Sequence, residues 1–363
     1  MLIQPGLRTF TVRVPPSKSQ VHRLMIAEYL ATGECNLPGL GSEELCDDLK
    51  ATERCLKGSF DCGESGTTLR LLAPVFAALE RRGEWKMCGR LAARPRLEYR
   101  TLEAGVHEIP GDISSQFASG LLFALPLLKG DSEIHFSSAP VSRGYIDMTL
   151  QVLAAYGIEI EKTPRGFFVK GSQSYRSPRQ RVAIEGDWSA AAFWYVARAL
   201  GNKVEIENED SLKSDSHQPD RAIVNLIGAR EIDIDETPDL FPPLVIAAAA
   251  LEGETLFRRI ARLRFKESDR VQAMASMLGT LGVDCEIQGD GFVVNSRGEK
   301  FRGGEINSCG DHRIAMSAAI AATYATAPIE ILSAECVRKS YPSFSADFAQ
   351  LQGDEGFGMM SAL

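Results

Sequence analysis

One pattern of apolar and polar positions recurs six times along the chain. A short alternating run ends in a turn of small and polar residues, and a stretch dense in Ala and Leu follows. The copies read FTVRV-PPSKS-QVHRLMIAEYLA, FDCGESGTT-LRLLAPVFAAL, VHEIPGDISS-QFASGLLFALPLL, VAIEGDWSA-AAFWYVARAL, IDIDETPD-LFPPLVIAAAAL and GEINSCGDH-RIAMSAAIAATYA. Alternation bounded by turn residues predicts a strand, and a longer apolar stretch rich in Ala and Leu predicts a helix. Each predicted helix starts beside a residue whose side chain can accept from free backbone amides: Ser17, Ser65, Asp112, Asp187, Thr237 or Asp311. These helices are apolar on nearly every face, which predicts burial on more than one side.

Between these copies lie second helices, predicted over residues 145–160 and 268–287. Each passes a glycine stop, Gly157 or Gly282, into a strand, and a hairpin partner follows, GFFVKG or GFVVNS. The full unit therefore alternates helices with three further strands. Little chain separates Asp48 from Cys62, or Arg96 from Glu108, so those copies lack room for two extra strands of about 5–6 residues. Six units divide as three plus three, with the main boundary near Arg181, after SQSYRSPRQ. The expected class is α/β with two domains, and a ligand fits the cleft between them.

The chain has 363 residues, 44% hydrophobic and 24% charged, which suits two globular domains with a substantial core. A net charge of −8 without a run of like charges argues against non-specific nucleic-acid binding. The eight cysteines form no C-x-x-C pair and no zinc-site spacing, which predicts free thiols in a reducing, cytoplasmic setting and no metal. No apolar run reaches the ~20 residues of a membrane span, and MLIQPGLRTFTVRV lacks the apolar core of a signal peptide.

The chemistry sits at the turns. A helix N-terminus carries unpaired amides and partial positive charge, so it favours anions. This chain places cations there instead: Lys18 and Arg23, Arg70, His312 and Arg313, and the pair Lys266 and Arg270. If both are helical, Lys266 and Arg270 are like-charged neighbours costing about 0.2–0.5 kcal/mol. A bound anion would offset the repulsion. Taken singly, each cation is equally readable as a solvated surface charge. CGESGTTLR supplies glycines and hydroxyls suited to backbone contact with a phosphate or carboxylate, and GDISSQF places two hydroxyls and an amide at another start. Asp239, Glu267 and His312 are the acid/base candidates, and each can also be a cap or a surface charge.

Taken together, PPSKSQVHR, CGESGTTLR, LAARP, GDISSQF, VSRGYIDMTL, PDLFPPLVIAAAAL, FKESDR, GDHRIAM and VRKSYPSF resemble, in order, the motifs of the 5-enolpyruvylshikimate-3-phosphate synthases. The resemblance runs from Pro16 to Phe344. It implies an enolpyruvyl transferase-like fold of two domains, each built from three βαβαββ-type units around buried helices. Residues 16–181 would form one domain, and residues 1–15 with 182–363 the other. It also implies transfer of the enolpyruvyl group of phosphoenolpyruvate to shikimate 3-phosphate through a tetrahedral adduct. That is a transferase step of aromatic amino-acid biosynthesis needing no cofactor, and the resemblance implies a monomer. Independently of it, cationic helix starts facing one another across a cleft repel, so substrate anions are expected to favour a closed state.

By the same resemblance, Lys18, Ser19, Arg23, Ser114, Ser115, Gln116, Ser142, Tyr145, Asp239 and Lys266 would bind shikimate 3-phosphate. Lys18, Gly66, Arg94, Gln116, Arg270, Arg313 and Lys339 would hold phosphoenolpyruvate. Asp239 would take the hydroxyl proton and Glu267 would handle the methylene proton, with Lys18 and His312 beside them in the catalytic set. Two departures stand out. Glu64 occupies a loop position where many members carry Asn, and would weaken anion binding unless Arg70 or another cation pairs with it. The segments after Asp48, Arg96 and Ala229 are also short. Two other readings stay open: the sister UDP-N-acetylglucosamine enolpyruvyl transferase, and a non-catalytic ligand-binding descendant.

Overall fold

The computed structural model describes residues 1–349, so the last fourteen residues of the expected second domain lie outside the described residues. Its helices are α1 (Lys18–Thr32), α2 (Asp47–Leu56), α3 (Gly66–Ala78), α4 (Ser115–Ala124), α5 (Arg143–Ala155), α6 (Trp188–Ala199), α7 (Ile223–Leu226), α8 (Phe241–Ala249), α9 (Arg270–Leu281), α10 (His312–Ala322) and α11 (Phe344–Ala349). The helices that begin the repeats are the buried ones. Every residue of α8 and of α10 is buried, which is why neither has a polar stripe.

Two four-stranded sheets carry the complete units. One runs in the order Val106–Ile109, Ser132–Phe136, Gly166–Val169, Ile160–Thr163, and the other Glu231–Asp233, Gly253–Arg258, Gly291–Ser296, Asp284–Gln288. In both, the first pair is parallel across a helix and the remaining pairs are antiparallel. Their registers match: Ile134 faces Phe167 in one, and Phe257 faces Phe292 in the other. The other sheets have two or three strands, in line with the short segments of the sequence. The strand Thr9–Val12 pairs in parallel with Lys203–Ile206, which attaches the start of the chain to its second half.

Buried side chains gather into two cores. One spans Val21 to Tyr175; the other joins Ile3, Phe10, Val12 and Val14 to residues between Trp188 and Phe348. All eight cysteines carry free thiols. No helix among the described residues is long and apolar enough to cross a membrane.

Several local expectations change. The helix expected after Asp112 is capped by Ser114, whose Oγ accepts from the Gln116 amide at 3.3 Å, while Asp112 accepts from Ser138. The helix expected after Thr237 starts later, at Phe241, with Pro242 and Pro243 in its first turn, where their missing N–H groups leave nothing unbonded. The fourth predicted strand, in VAIEG, does not form. The Gln20 side chain takes its pairing groups, accepting from Glu185 N at 2.8 Å and donating to Ala183 O at 3.1 Å, and only an isolated bridge joins Pro16 to Gly186. Lys266 is not a helical neighbour of Arg270, because Asp269 caps α9 and the helix begins at Arg270. The second helices stop before their glycines, at Ala155 and Leu281; Gly157 and Gly282 both take the left-handed conformation with φ of 78°.

Candidate active site

The N-termini of α1, α3, α4, α9 and α10 open onto one cleft between the two cores. From the first core it is lined by Lys18, Ser19, Arg23, Gly66, Arg94, Ser114, Ser115, Gln116, Ser142 and Tyr145. From the second come Asp239, Lys266, Glu267, Arg270, His312 and Arg313. Lys339 alone among the predicted residues stands outside this lining. It faces an adjoining hollow with Glu64, although its neighbour Ser340 lines the cleft.

One end of the cleft is built from fixed donors. Arg23 is buried and rigidly held: Nε donates to Thr149 Oγ1 at 2.7 Å, and its other nitrogens reach Ser19 O at 2.6 Å and Tyr145 O at 3.0 Å. Burial pushes its guanidinium down to about 10, still charged at neutral pH. Ser142 takes left-handed backbone angles, and its hydroxyl is 2.9 Å from Arg262 Nη2. Arg262 also pairs with Asp235 at 3.1 Å.

The middle holds the carboxylates. Asp239 meets Arg270 at 2.7 Å, Arg313 at 3.0 Å and Lys266 at 3.7 Å. Burial alone would raise its carboxyl, but Arg313, Lys266 and Arg270 outweigh that and hold it well below the usual carboxylate range. Glu267 meets Arg94 at 3.2 Å and Arg270 at 2.9 Å. Burial opposes its charge too, and Arg94, Arg270 and Lys339 again hold it ionised. Arg270 is anchored from behind by the buried Asp311 at 2.8 Å, the residue that also caps α10 by accepting from Arg313 N. His312 is buried, and neither ring nitrogen has a hydrogen-bond partner among the described residues. Burial and the neighbouring Arg313 and Lys18 keep it neutral.

Near the other end, Lys18 pairs with Asp48 at 2.8 Å; burial would lower its pKa, but Asp48 more than compensates and raises it. Gln116 bridges Arg70 Nη1 at 3.0 Å and Thr67 Oγ1 at 2.8 Å. Gly66 is bare where the cations converge: a Cβ there would lie 2.5 Å from Arg70 Nη1 and 3.3 Å from Arg94 Nη1. Motif reading missed Asp48, Asp311, Asp220 and Arg262. Asp48 and Asp311 were visible only as a boundary and a cap, and Arg262 lies four residues before Lys266. Asp220 is buried with Ser189 as partner, and its carboxyl is pushed up to about 7 by burial and by Asp239. Nothing local in HQPDRA signalled this. Among the described residues no cluster of His, Cys, Asp and Glu is placed to hold a metal ion.

Comparison with known proteins gives a consistent answer. The 3-phosphoshikimate 1-carboxyvinyltransferase of Clostridium acetobutylicum is 35% identical, covering 97% of this chain and 97% of its own. That of Clostridium kluyveri is 34% identical with the same coverage. The alignment with the first spans 426 residues against 363 here, so the relative carries segments that this chain lacks. Among solved structures, the EPSP synthase of Acinetobacter baumannii superposes with a TM-score of 0.71 at 23% identity, covering 96% of this chain and 97% of its own. The enolpyruvyl transferase NikO of Streptomyces tendae gives 0.65 at 14% identity, covering 97% of each chain. At those identities the structural likeness establishes the enolpyruvyl transferase fold. The model of EPSP synthase (3-phosphoshikimate 1-carboxyvinyltransferase) matches residues 94–229 and 216–348, and with the near full-length identity to the clostridial proteins it shows that the chain belongs to that family.

Proposed function

We propose that this cleft transfers the enolpyruvyl group of phosphoenolpyruvate to the 5-hydroxyl of shikimate 3-phosphate and releases phosphate. The observation that carries the reading is the meeting of two carboxylates, Asp239 and Glu267, with cations from both walls: Lys18 and Arg94 from one, Lys266, Arg270 and Arg313 from the other. Two polyanionic substrates need that many cations, and an addition–elimination needs two groups that handle protons.

Arg23, Ser19, Ser114, Ser115, Ser142, Lys266 and the face of Tyr145 take shikimate 3-phosphate. Gly66, Arg94, Arg270, Arg313 and Lys339 take phosphoenolpyruvate, and Lys18 and Gln116 serve both. Asp239 accepts the hydroxyl proton as the oxygen adds to C2. Glu267, having taken up a solvent proton once the bound anions offset Arg94 and Arg270, gives that proton to C3 and takes one back in the elimination. The adduct then loses phosphate from C2 and a proton from C3, restoring the double bond. Both carboxylates are held ionised by the cations around them. Substrate phosphate and carboxylate groups neutralise those same cations. Each carboxylate then gains proton affinity at the moment it must accept or pass on a proton. His312, neutral and unpartnered, supplies a hydrogen-bonding nitrogen beside them. The two cores act as two domains, residues 16–181 and residues 1–15 with 182–363, in a cytoplasmic monomer.

The test is phosphate release with shikimate 3-phosphate and phosphoenolpyruvate supplied together and separately. Release is expected only with both. Glu267→Gln should lower kcat by about 10²–10⁴ while shikimate 3-phosphate still binds. Release only with UDP-N-acetylglucosamine as acceptor, or binding without turnover, would overturn the proposal.

A further inference from the structure

Glu64 stands two residues before Gly66, where the start of α3 opens onto the cleft. Its carboxylate does not use Arg70, whose guanidinium is engaged by Gln116 and by the Pro95 carbonyl. It meets Lys339. The ammonium nitrogen lies 3.3 Å from Glu64 Oε2 and 3.3 Å from the Glu64 carbonyl oxygen. The pair joins the two halves of the chain, since Glu64 adjoins the first core and Lys339 the second.

The two partners differ in surroundings. The Lys339 side chain is 9% exposed and that of Glu64 50%. Gly89 determines where Glu64 lies, because a Cβ at Gly89 would come within 1.9 Å of Glu64 Oε1. The carboxylate is laid against bare backbone at the rim. Lys339 also lies near enough for its charge to act on Glu267 and on Asp48, both of which line the cleft, and its neighbour Ser340 lines it too. It is thus a nearly buried cation paired with a half-exposed carboxylate beside the cleft.

We infer that Glu64 is a built-in competitor for Lys339 that sets how strongly the cleft holds its anionic donor. The inference rests on the proposed function, in which Lys339 serves phosphoenolpyruvate. With the cleft empty, the Lys339 N–H groups go to Glu64. An incoming carboxylate or phosphate must draw them away. The effect falls on the donor. The shikimate 3-phosphate end, with Arg23, Ser142 and Lys266, is built from other residues. If Glu64 instead aimed Lys339 at the donor, removing its charge would weaken donor binding, so the two accounts differ in sign.

Glu64→Gln keeps the shape and removes the charge. A half-exposed pair is worth up to about 1 kcal/mol, so the KM for phosphoenolpyruvate should fall about two- to fivefold. The KM for shikimate 3-phosphate and kcat should hold. In a Lys339→Met background the same substitution should leave the donor KM where it was. A donor KM that is unchanged or raised in Glu64→Gln, or a fall that persists without Lys339, overturns the inference. Absence of phosphate release from the unaltered protein would instead overturn the proposed function, so the two failures are distinguishable.

Discussion

Lys266 shows how one position gathers opposing terms. Burial pushes its ammonium down to about 8, with the charge of Asp239 at 3.7 Å working the other way and Arg270 and Arg262 adding repulsion. The group is a cation below that pH and neutral above it. If it holds shikimate 3-phosphate, the KM for that substrate should rise as pH climbs through about 8. Lys266→Met should give a higher KM that is flat across the same window. Initial rates between pH 7 and pH 9 would decide, and a wild-type KM that does not change would remove Lys266 from the acceptor set. Glu64 belongs to the same scale. The sequence raised the question of which cation meets it, and the fold answers with Lys339, from the opposite core.

At the scale of elements, the repeated helix start is the working part. Four of the six repeat helices begin with small or polar residues, Lys18, Gly66, Ser115 and His312, at the head of an apolar stretch, and the caps do more than finish helices. Asp187 caps α6 by accepting from Ala190 N at 2.9 Å, and its other oxygen accepts from the backbone of Lys18 at 2.9 Å. One carboxylate therefore ties the start of α1 to the start of α6, across the crossing formed by Ser17 N with Glu185 O and Asp187 N with Pro15 O. Asp187→Ala removes a cap and leaves the Lys18 amide without its acceptor, so stability should fall by about 1–3 kcal/mol. Urea unfolding measures it, and an unchanged midpoint would show that water replaces both bonds without penalty.

At the scale of the molecule, the sequence argued that bare cations facing one another hold the cleft open until anions arrive. The structure changes the balance of that argument. Carboxylates stand between the cations, and some pairs join the two halves of the chain: Arg94 with Glu267 at 3.2 Å, Lys339 with Glu64 at 3.3 Å, and Arg143 with Glu236 at 3.3 Å. The last is well exposed on both sides, and such pairs contribute roughly 0–1 kcal/mol. That exposed pair by itself adds little to closure, whereas two bound polyanions bridge both walls at once. The radius of gyration from small-angle scattering should therefore shrink when shikimate 3-phosphate and a donor analogue are added together. An unchanged radius would count against closure.

The sequence by itself determined the repeat, the buried helices and the chemical identity of the helix starts. Each of these depends on residues close together in the chain: alternation for a strand, an apolar run for a helix, a cap beside it, and a motif within a turn. That is also why Lys18, Arg94, Asp239, Glu267, Arg270 and Arg313 were readable before any fold was known. Local reading failed where a distant group intervened. The strand in VAIEG is absent because the Gln20 side chain, far away in sequence, takes its pairing groups. Tertiary structure alone decided the partners. Asp48 for Lys18, Asp311 behind Arg270, Asp220 beside Asp239 and Lys339 for Glu64 are all long-range choices. Charges act on one another through space over a few ångströms, and only tertiary packing brings these residues within that distance, inside one core for the first three and between the two cores for Lys339 and Glu64.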